Sequence, residues 1–248
     1  MRALVRILGV VVALAVLAGA AEVALRLIIP NVIANAVREQ VGLSEDHPVD
    51  VELGGSALLH AITGRVGDVT IGVDDLPLPG GIVVNAKLHA DSAPFDPTSG
   101  DLRGGTGALT VTGDQLPGVV NAVTRGIAET GEVRDGELVV GRDVTLLGFT
   151  VPVSLGLELG VSGGDVQVTP TQVSASGLDL SSEQIAGAAA PVLGDLPETH
   201  TVCIADELPR GITLTGIDLS TTGSATLQAD LSPGILSDSS EQEPGVCE

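Results

Sequence analysis

The sequence predicts an α+β fold: an antiparallel β-rich body with internal pseudo-twofold symmetry, packed on long amphipathic helices and preceded by an N-terminal transmembrane or signal helix. The first observation is a repeat. LTVTGDQLPG at residues 109–118 returns as LDLSSEQIAG at 178–187, and VTLLG at 144–148 returns as ITLTG at 212–216. The second is that 33 Gly and 14 Pro separate short segments of alternating hydropathy. Two copies are too few for a solenoid core, so we expect one closed body with an internal repeat at about 109–148 and 178–216.

The N-terminus has the features of an export signal. Arg2 and Arg6 precede an uncharged apolar run over residues 7–21, and the small residues 18–20 offer a cleavage site. Cleavage there would give a periplasmic or secreted protein.

The same segment can instead be kept as a membrane anchor. Glu22 and Arg26 stand four residues apart and can pair on a helix, which extends the apolar stretch to residues 7–29. This stretch reaches the length of about 20 residues that a span needs. We favour the anchor because no strong helix break follows Ala20. Both alternatives place the body outside the cytoplasm. If the anchor is kept, the chain is a cell-membrane protein with a single N-terminal anchor.

The remaining elements follow from hydrophobic periodicity. A helix over residues 23–42 contains Pro30 and presents one apolar stripe, formed by Val23, Leu27, Ala34, Val37 and Val41. A short helical turn is expected at residues 56–62. Alternating segments bounded by turn residues predict strands at residues 49–53, 64–73, 82–89, 108–112, 137–140, 144–147, 151–159, 165–168, 212–219 and 224–231.

Each copy of the repeat predicts an amphipathic helix. The first spans residues 114–127 with Asp114 as N-cap, and its apolar face is Leu116, Val119, Val120, Val123 and Ile127. The second spans residues 182–193 after a capping box of Ser181 and Gln184, and its apolar face is Ile185, Ala188, Ala189 and Val192.

The chain has two cysteines, Cys203 and Cys247. In an exported protein this count predicts one disulfide, whereas two free thiols are the alternative. The bridge would fasten the Ser-, Asp-, Glu- and Pro-rich tail to the body. The expected division is therefore 1–29 for the anchor or signal, 30–231 for the body and 232–248 for an acidic, mobile tail.

Composition argues against several function classes. The net charge of −21, from 11 Lys and Arg against 32 Asp and Glu, opposes nucleic-acid binding. The four His are far apart in sequence and show no metal-ligand spacing. GVSGG around Ser162 matches a nucleophile-elbow pattern, but a strand follows it where a hydrolase needs a helix. We expect no catalytic residue, no metal and no cofactor, and hence no enzyme.

One segment resembles a known family. GGSALLHAITGRVGDVTI at residues 54–71 is similar to the pattern Gly-x-Ser-Pro-apolar-apolar-x-x-apolar-x-Gly-Arg-apolar-x-x-Val of the actinobacterial LmeA-like phospholipid-binding proteins. LPRGITLTGI at residues 208–217 is a second match, and the N-terminal helix and the trailing Cys also fit. The resemblance covers roughly residues 22–231, with Ala57 where the family pattern has Pro.

The resemblance implies an exported envelope protein that binds phospholipid and is linked to lipomannan maturation in mycobacterial envelopes. It also implies a β-rich body wrapped on long helices around an apolar cavity, similar to tubular lipid-binding proteins. Phospholipid and, through the N-terminal helix, the membrane are the implied partners; no protein partner is implied.

We predict that a diacyl phospholipid lies between sheet and helices, because an acyl chain needs a dry aliphatic groove. Phe95 lies in a Pro-flanked loop that can gate the entrance. The full set of predicted lipid contacts comprises Phe95, Val119, Val120, Val123, Ile127, Leu147, Phe149, Ile185 and Val192. The alternative is a structural or partner-binding envelope protein without a lipid ligand, in which these stripes are ordinary core.

Overall fold

A computed structural model describes residues 2–78, 80–96, 100–146, 149–175, 178–181 and 199–247. These residues form a mixed α+β fold with one long N-terminal apolar helix and two antiparallel sheets. The helices are α1 (Arg2–Val41), α2 (Ala57–Thr63) and α3 (Leu116–Val123). The strands are β1 (Val49–Leu53), β2 (Arg65–Pro77), β3 (Val83–Pro94), β4 (Gly105–Val111), β5 (Thr130–Arg134), β6 (Glu137–Leu146), β7 (Phe149–Ser162), β8 (Asp165–Ala175), β9 (Leu178–Ser181), β10 (His200–Val202), β11 (Ile212–Leu219) and β12 (Ala225–Leu231).

The first sheet has the strand order β1-β2-β3-β4-β12-β11. Strands β1 to β4 form a meander, and the C-terminal hairpin of β11 and β12 is added at the free edge of β4. The second sheet has the order β10-β8-β7-β6-β5, and β9 also pairs with β8. Successive side chains of a strand point to opposite faces of the sheet. One face of the first sheet is therefore apolar and packs against the helices.

Two aliphatic clusters form the core of the first sheet. One lies below α1 and is built on Val66, Val69, Ala90 and Leu102. The other lies at the opposite end of the sheet below α3 and is built on Val84, Val111, Leu116 and Ala225. Between Val66 and Leu76, which belong to the two clusters, β2 rises by about 33 Å at about 3.3 Å per residue. The two helices therefore cover different ends of one sheet.

Most predicted strands are confirmed. The structure places β1 and β11 within the predicted bounds, and α2 begins after its N-cap Ser56. Strands β7 and β8 are longer than predicted and form one hairpin. Ser162 ends β7 and pairs with Asp165 across the turn, which confirms that the elbow-like pattern is a β-turn.

The prediction for the first repeat helix is wrong at both ends. Helix α3 begins at Leu116, and Asp114 does not cap it. The Asp114 carboxylate instead accepts hydrogen bonds from Thr112 Oγ1 at 2.6 Å and from Gln115 Nε2 at 3.1 Å. The helix ends at Val123 because two following residues, at 125 and 126, have positive φ, which an α-helix cannot contain.

The repeat itself stays a prediction. Strand β4 is an interior strand of the first sheet, between β3 and β12, whereas β9 pairs with β8 in the second sheet. The second repeat helix, residues 182–193, lies outside the described residues. Among the described elements α1 is long and α3 is short, so the expectation of several long helices is met by α1 alone.

The C-terminal segment is fastened to the body. The disulfide Cys203–Cys247 is present, with 5.8 Å between the two Cα atoms, and confirms the predicted bridge. Backbone N–H groups of Arg210 and Gly211 donate to the carbonyl oxygens of Glu243 and Glu241 at 2.9 and 2.8 Å. These contacts attach the tail to the start of β11; its mobility stays a prediction.

Removing the bridge should destabilise the body. Replacing both cysteines, C203S/C247S, is expected to lower the free energy of unfolding by about 3 kcal/mol, because the bridge restricts the unfolded chain. Urea unfolding of the full chain in detergent measures this. Reductant should lower the wild-type midpoint to that of the variant and leave the variant unchanged. A wild-type midpoint that does not respond to reductant would contradict the prediction.

Candidate functional site

The N-terminus of α2 is capped by a residue of α1. The Glu22 carboxylate accepts hydrogen bonds from Ser56 Oγ at 2.7 Å, from the Ala57 N–H at 2.9 Å and from the Leu58 N–H at 2.8 Å. The first N–H groups of a helix have no partner within the helix, and a negative charge is favoured there. Glu22 therefore joins α1 to α2 by supplying the acceptors that α2 lacks.

Arg26 completes this junction. Its Nε lies 2.8 Å from a Glu22 carboxylate oxygen, and its Nη2 donates to the Gly55 carbonyl oxygen at 2.9 Å. The Arg26 guanidinium, together with the Leu58, Ser56 and Ala57 donors, lowers the pKa of Glu22 from 4.5 to about 2. The predicted pairing of Glu22 with Arg26 is thus confirmed, and the charged carboxylate is the form that holds α2.

Helix α2 is seated on β2 by a buried histidine. His60 Nε2 donates to the Gly54 carbonyl oxygen at 2.7 Å, and its Nδ1 accepts from the Gly67 N–H at 3.3 Å. Gly67 leaves room for the ring, since a Cβ there would lie 3.2 Å from His60 Cε1. Gly64 ends α2 with φ 68°, a left-handed conformation that suits glycine. His60 is therefore a packing residue that orients α2.

The other end of α1 is fastened to β2 through a second polar junction. Arg38 Nε donates to the His47 carbonyl oxygen at 2.7 Å, and Arg38 Nη1 donates to Asn35 Oδ1 at 2.9 Å. His47 Nε2 in turn donates to the Asp74 carbonyl oxygen at 2.7 Å. Helix α1 is therefore held at Glu22 and at Arg38, about 24 Å apart along its axis.

Between the two junctions an apolar groove runs between α1 and the first sheet, beside the contact of Ile33 with the sheet's core cluster. The groove has a volume of about 600 Å³. Its wall on α1 repeats every three or four residues and comprises Ile28, Ile29, Val32, Ile33, Ala36, Val37 and Gln40. The opposite wall comes from β2, β3 and the residue after β3, and comprises Val66, Val69, Ile71, Ala93, Pro94 and Phe95. Leu236 and Gln242 of the tail form its edge, so the described lining carries two amides and no charged side chain.

The groove has the length of a hydrocarbon chain in a bilayer. From Ile28 to Gln40 the α1 axis rises about 18 Å. The hydrocarbon core of a bilayer is about 30 Å thick and holds two layers of chains, so one chain reaches about 15 Å. One acyl chain therefore fits along α1.

The predicted contact residues are distributed over three places. Phe95 lines the groove and is 43% exposed. Val119 of α3 packs on the cluster at the other end of the sheet and Val120 is buried beside Gly131 of β5, while Val123 and Ile127 are 77% and 67% exposed. Leu147, Ile185 and Val192 lie outside the described residues, and Phe149 begins β7. The structure thus brings one predicted residue to the groove; lipid contact by the others stays a prediction.

The α1 wall was missed because the sequence does not fix the phase of this helix. Residues 23–37 are apolar on nearly every side, so several stripes fit equally. Of the predicted stripe, Val37 lines the groove, whereas Val23, Leu27 and Val41 are exposed. The β2 wall carries a clearer signal: Val66, Val69 and Ile71 lie in the segment that was predicted as a strand.

Helix α1 also qualifies as a candidate membrane span. Residues Leu17–Val41 are long and apolar enough, with a mean hydropathy of 1.6, and 11% of the most apolar window is buried. Because the helix contacts α2 at Glu22 and lines the groove from Ile28 onward, the part that is free of the body precedes Glu22.

The described residues contain no cluster of metal ligands, and the surroundings of His89 are those of a surface histidine. No group of three or more His, Cys, Asp and Glu there can hold a metal ion. Thr70 Oγ1 lies 3.1 Å from His89 Nδ1, and Asp91 Oδ1 lies 3.6 Å from His89 Nε2. Asp68 Oδ1 lies 3.9 Å from His89 Nδ1, and both Asp68 and Asp91 are largely exposed, which is typical of a solvated sheet surface.

Comparison with known proteins gives one match. A family model described as LmeA-like phospholipid-binding matches residues 20–224. No curated protein and no solved structure matches the chain.

The Glu22 junction should depend on its charge. Replacing the carboxylate, E22Q, removes the pairing with Arg26 and weakens the cap, so the Ala57 and Leu58 amides are expected to exchange faster with solvent. Hydrogen-exchange mass spectrometry measures this, with E39Q on an exposed turn of the same helix as the matched control.

The pH dependence follows from the lowered pKa of Glu22. Its stabilisation is fully present above pH 4.5 and is lost as the pH falls toward about 2, because the folded protein then takes up the proton. Protection of these two amides should fall across that range in the wild type and not in E22Q. Equal protection in E22Q and E39Q would contradict the assigned role of Glu22.

Proposed function

The chain belongs to the LmeA-like phospholipid-binding family, and we propose that it binds phospholipid by burying an acyl chain in the groove between α1 and the first sheet. One observation carries the proposal: a groove of about 600 Å³ whose described lining is mostly aliphatic, with one aromatic ring, two amides and no charged side chain. Ligand sites of roughly 300–1,000 Å³ with few polar groups are typical of small-molecule binding.

Burial of hydrocarbon supplies the affinity. Each methylene removed from water contributes about 0.8 kcal/mol, so about ten methylenes contribute roughly 8 kcal/mol before the cost of association. The net charge of −21 gives no attraction for an anionic headgroup. The acyl chain, rather than the headgroup, is therefore the part of the lipid that this protein holds.

We therefore place the lipid-contacting helix residues on α1 rather than on α3. Val120 is buried and Val123 is 77% exposed, whereas seven α1 residues between 28 and 40 line the groove beside the contact of Ile33 with the sheet. Phe95 keeps the role proposed from its sequence, because it lies at one end of the groove.

We also propose where the protein acts. The family match begins at residue 20 and the contacts of the body begin at Glu22, so residues 1–21 are left as an anchor or a removable signal. The body then faces the outside of the cytoplasmic membrane. There it would supply or shield phospholipid during maturation of envelope lipids or lipoglycans, without catalysing a reaction itself.

The decisive measurement is native mass spectrometry of the full chain purified from its host. The wild type should carry phospholipid. Ala36→Trp places an indole in the groove and is expected to reduce lipid occupancy at least tenfold, about 1.4 kcal/mol of binding free energy. Ala122→Trp, a matched exposed alanine on α3, should retain the lipid.

Thermal unfolding of both variants shows whether the fold is intact. Full lipid occupancy in Ala36→Trp would place the lipid elsewhere. A wild-type protein without lipid would reject the proposal and leave the structural or partner-binding envelope role.

A further inference from the structure

We propose that the exposed face of α2, together with Phe95, is a docking surface for a lipid bilayer beside the mouth of the groove. Leu59 and Ile62 are 59% and 73% exposed and stand three residues apart, so they share one face of α2. The Phe95 N–H donates to the carbonyl oxygen of Gly64, the C-cap of α2, at 3.1 Å. These three side chains form the α2 patch.

The α2 patch lacks charge in a highly charged protein. Helix α2 reads ALLHAIT, and its His60 is buried. The rest of the chain carries all 32 Asp and Glu. An exposed helix that combines large apolar residues with no charge is typical of a surface that contacts another apolar phase.

The position of α2 identifies that phase as a bilayer. Glu22 accepts the hydrogen bonds of the first N–H groups of α2. Residues 7–21, directly before Glu22 on α1, contain no charged residue. A bilayer entered by this apolar segment would have its surface at the level of the cap. Ile62 lies six residues after Ser56, about 9 Å along α2, so the backbone of α2 up to Ile62 stays within about 9 Å of that level. The α2 patch is therefore within reach of the interface.

The main alternative partner for the α2 patch is a second copy of the chain, and its charge disfavours this contact. A second copy of the chain would bring another net charge of −21 to the interface, whereas acyl chains and zwitterionic headgroups bring no net charge. A bilayer is thus the better complement.

The α2 patch also explains how a lipid enters. Phe95 belongs both to the α2 patch and to the groove, and Ile28 of α1 lines the same end. A chain that leaves the bilayer at this point passes into the groove without crossing water. This step rests on the proposed function, because it supplies the lipid that the groove holds.

The absence of Trp makes docking measurable. The chain contains no Trp, so I62W introduces the only indole. We expect its emission to shift to shorter wavelength and to be quenched by phosphatidylcholine with brominated acyl chains, in vesicles that carry the full chain. V202W is the matched control, because Val202 is 47% exposed on β10 of the second sheet. It should be quenched by aqueous iodide and not by brominated lipid. Equal quenching of the two variants by brominated lipid would overturn the docking surface.

A second pair of variants separates docking from binding. L59D/I62D should reduce loading of the groove from vesicles at least tenfold and leave binding of monomeric lysophospholipid unchanged, whereas V202D, at an exposed valine of β10, should change neither. Equal loss of both activities in L59D/I62D would overturn docking, because the residues would then belong to the groove. A wild type that binds no lysophospholipid, with I62W still quenched by brominated lipid, would reject the groove and support docking alone.

Discussion

The structure depends on the way α1 is attached: polar contacts hold it at Glu22 and at Arg38, and between them Ile33 packs on the first sheet while an apolar groove remains beside this contact. Glu22 and Arg26 bind α2, and Arg38 binds the segment that leads into β1. Hydrogen bonds to charged groups are directional and fix a helix at a set distance, whereas aliphatic side chains alone would close onto the sheet until no space remained. The position of α1, and with it the groove beside Ile33, therefore depends on these polar contacts together with the apolar packing of Ile33. Residues far from the lipid thereby contribute to whether a lipid fits.

The composition of the chain suits this arrangement. Aromatic residues make up 1% of the sequence, so the walls are built from Val, Ile, Leu and Ala. Branched aliphatic side chains have few rotamers and form a smooth surface that offers dispersion contacts along its whole length and no preferred position. Such a surface accepts chains of different length and saturation. It also exposes apolar area when empty, so an occupant that binds only the folded protein raises its stability. Lipid binding and stability are thus coupled in this fold.

Strand positions could be predicted because alternation reports burial directly: β1, β2 and β11 follow from residues such as Val49, Val51 and Leu53 on one face. The pairing of Glu22 with Arg26 could also be predicted from helical spacing. The contact of this pair with the N-terminus of α2 could not be predicted, because nothing in the sequence near residue 22 indicates that Glu22 will accept hydrogen bonds from the N–H groups of Ala57 and Leu58. A groove between sheet and helices was predicted, but its wall on α1 was missed for a related reason. The groove is a space between elements, and its existence depends on the separation of α1 from β2, whereas hydropathy reports only that both surfaces are apolar.

The Glu22 junction also makes the groove independent of the fate of the N-terminus. A cut after Ala20 would leave Glu22, Arg26 and every α1 residue that lines the groove in the mature chain. An uncut chain would have the same contacts and an additional tether. The cut and uncut chains would differ in how often the α2 patch meets the bilayer. A tether would keep the patch at the bilayer at all times, whereas a free body would bind the bilayer through apolar contacts alone. Retention of the anchor therefore affects how fast the groove fills, and the lipid that it holds is determined by the walls in either case.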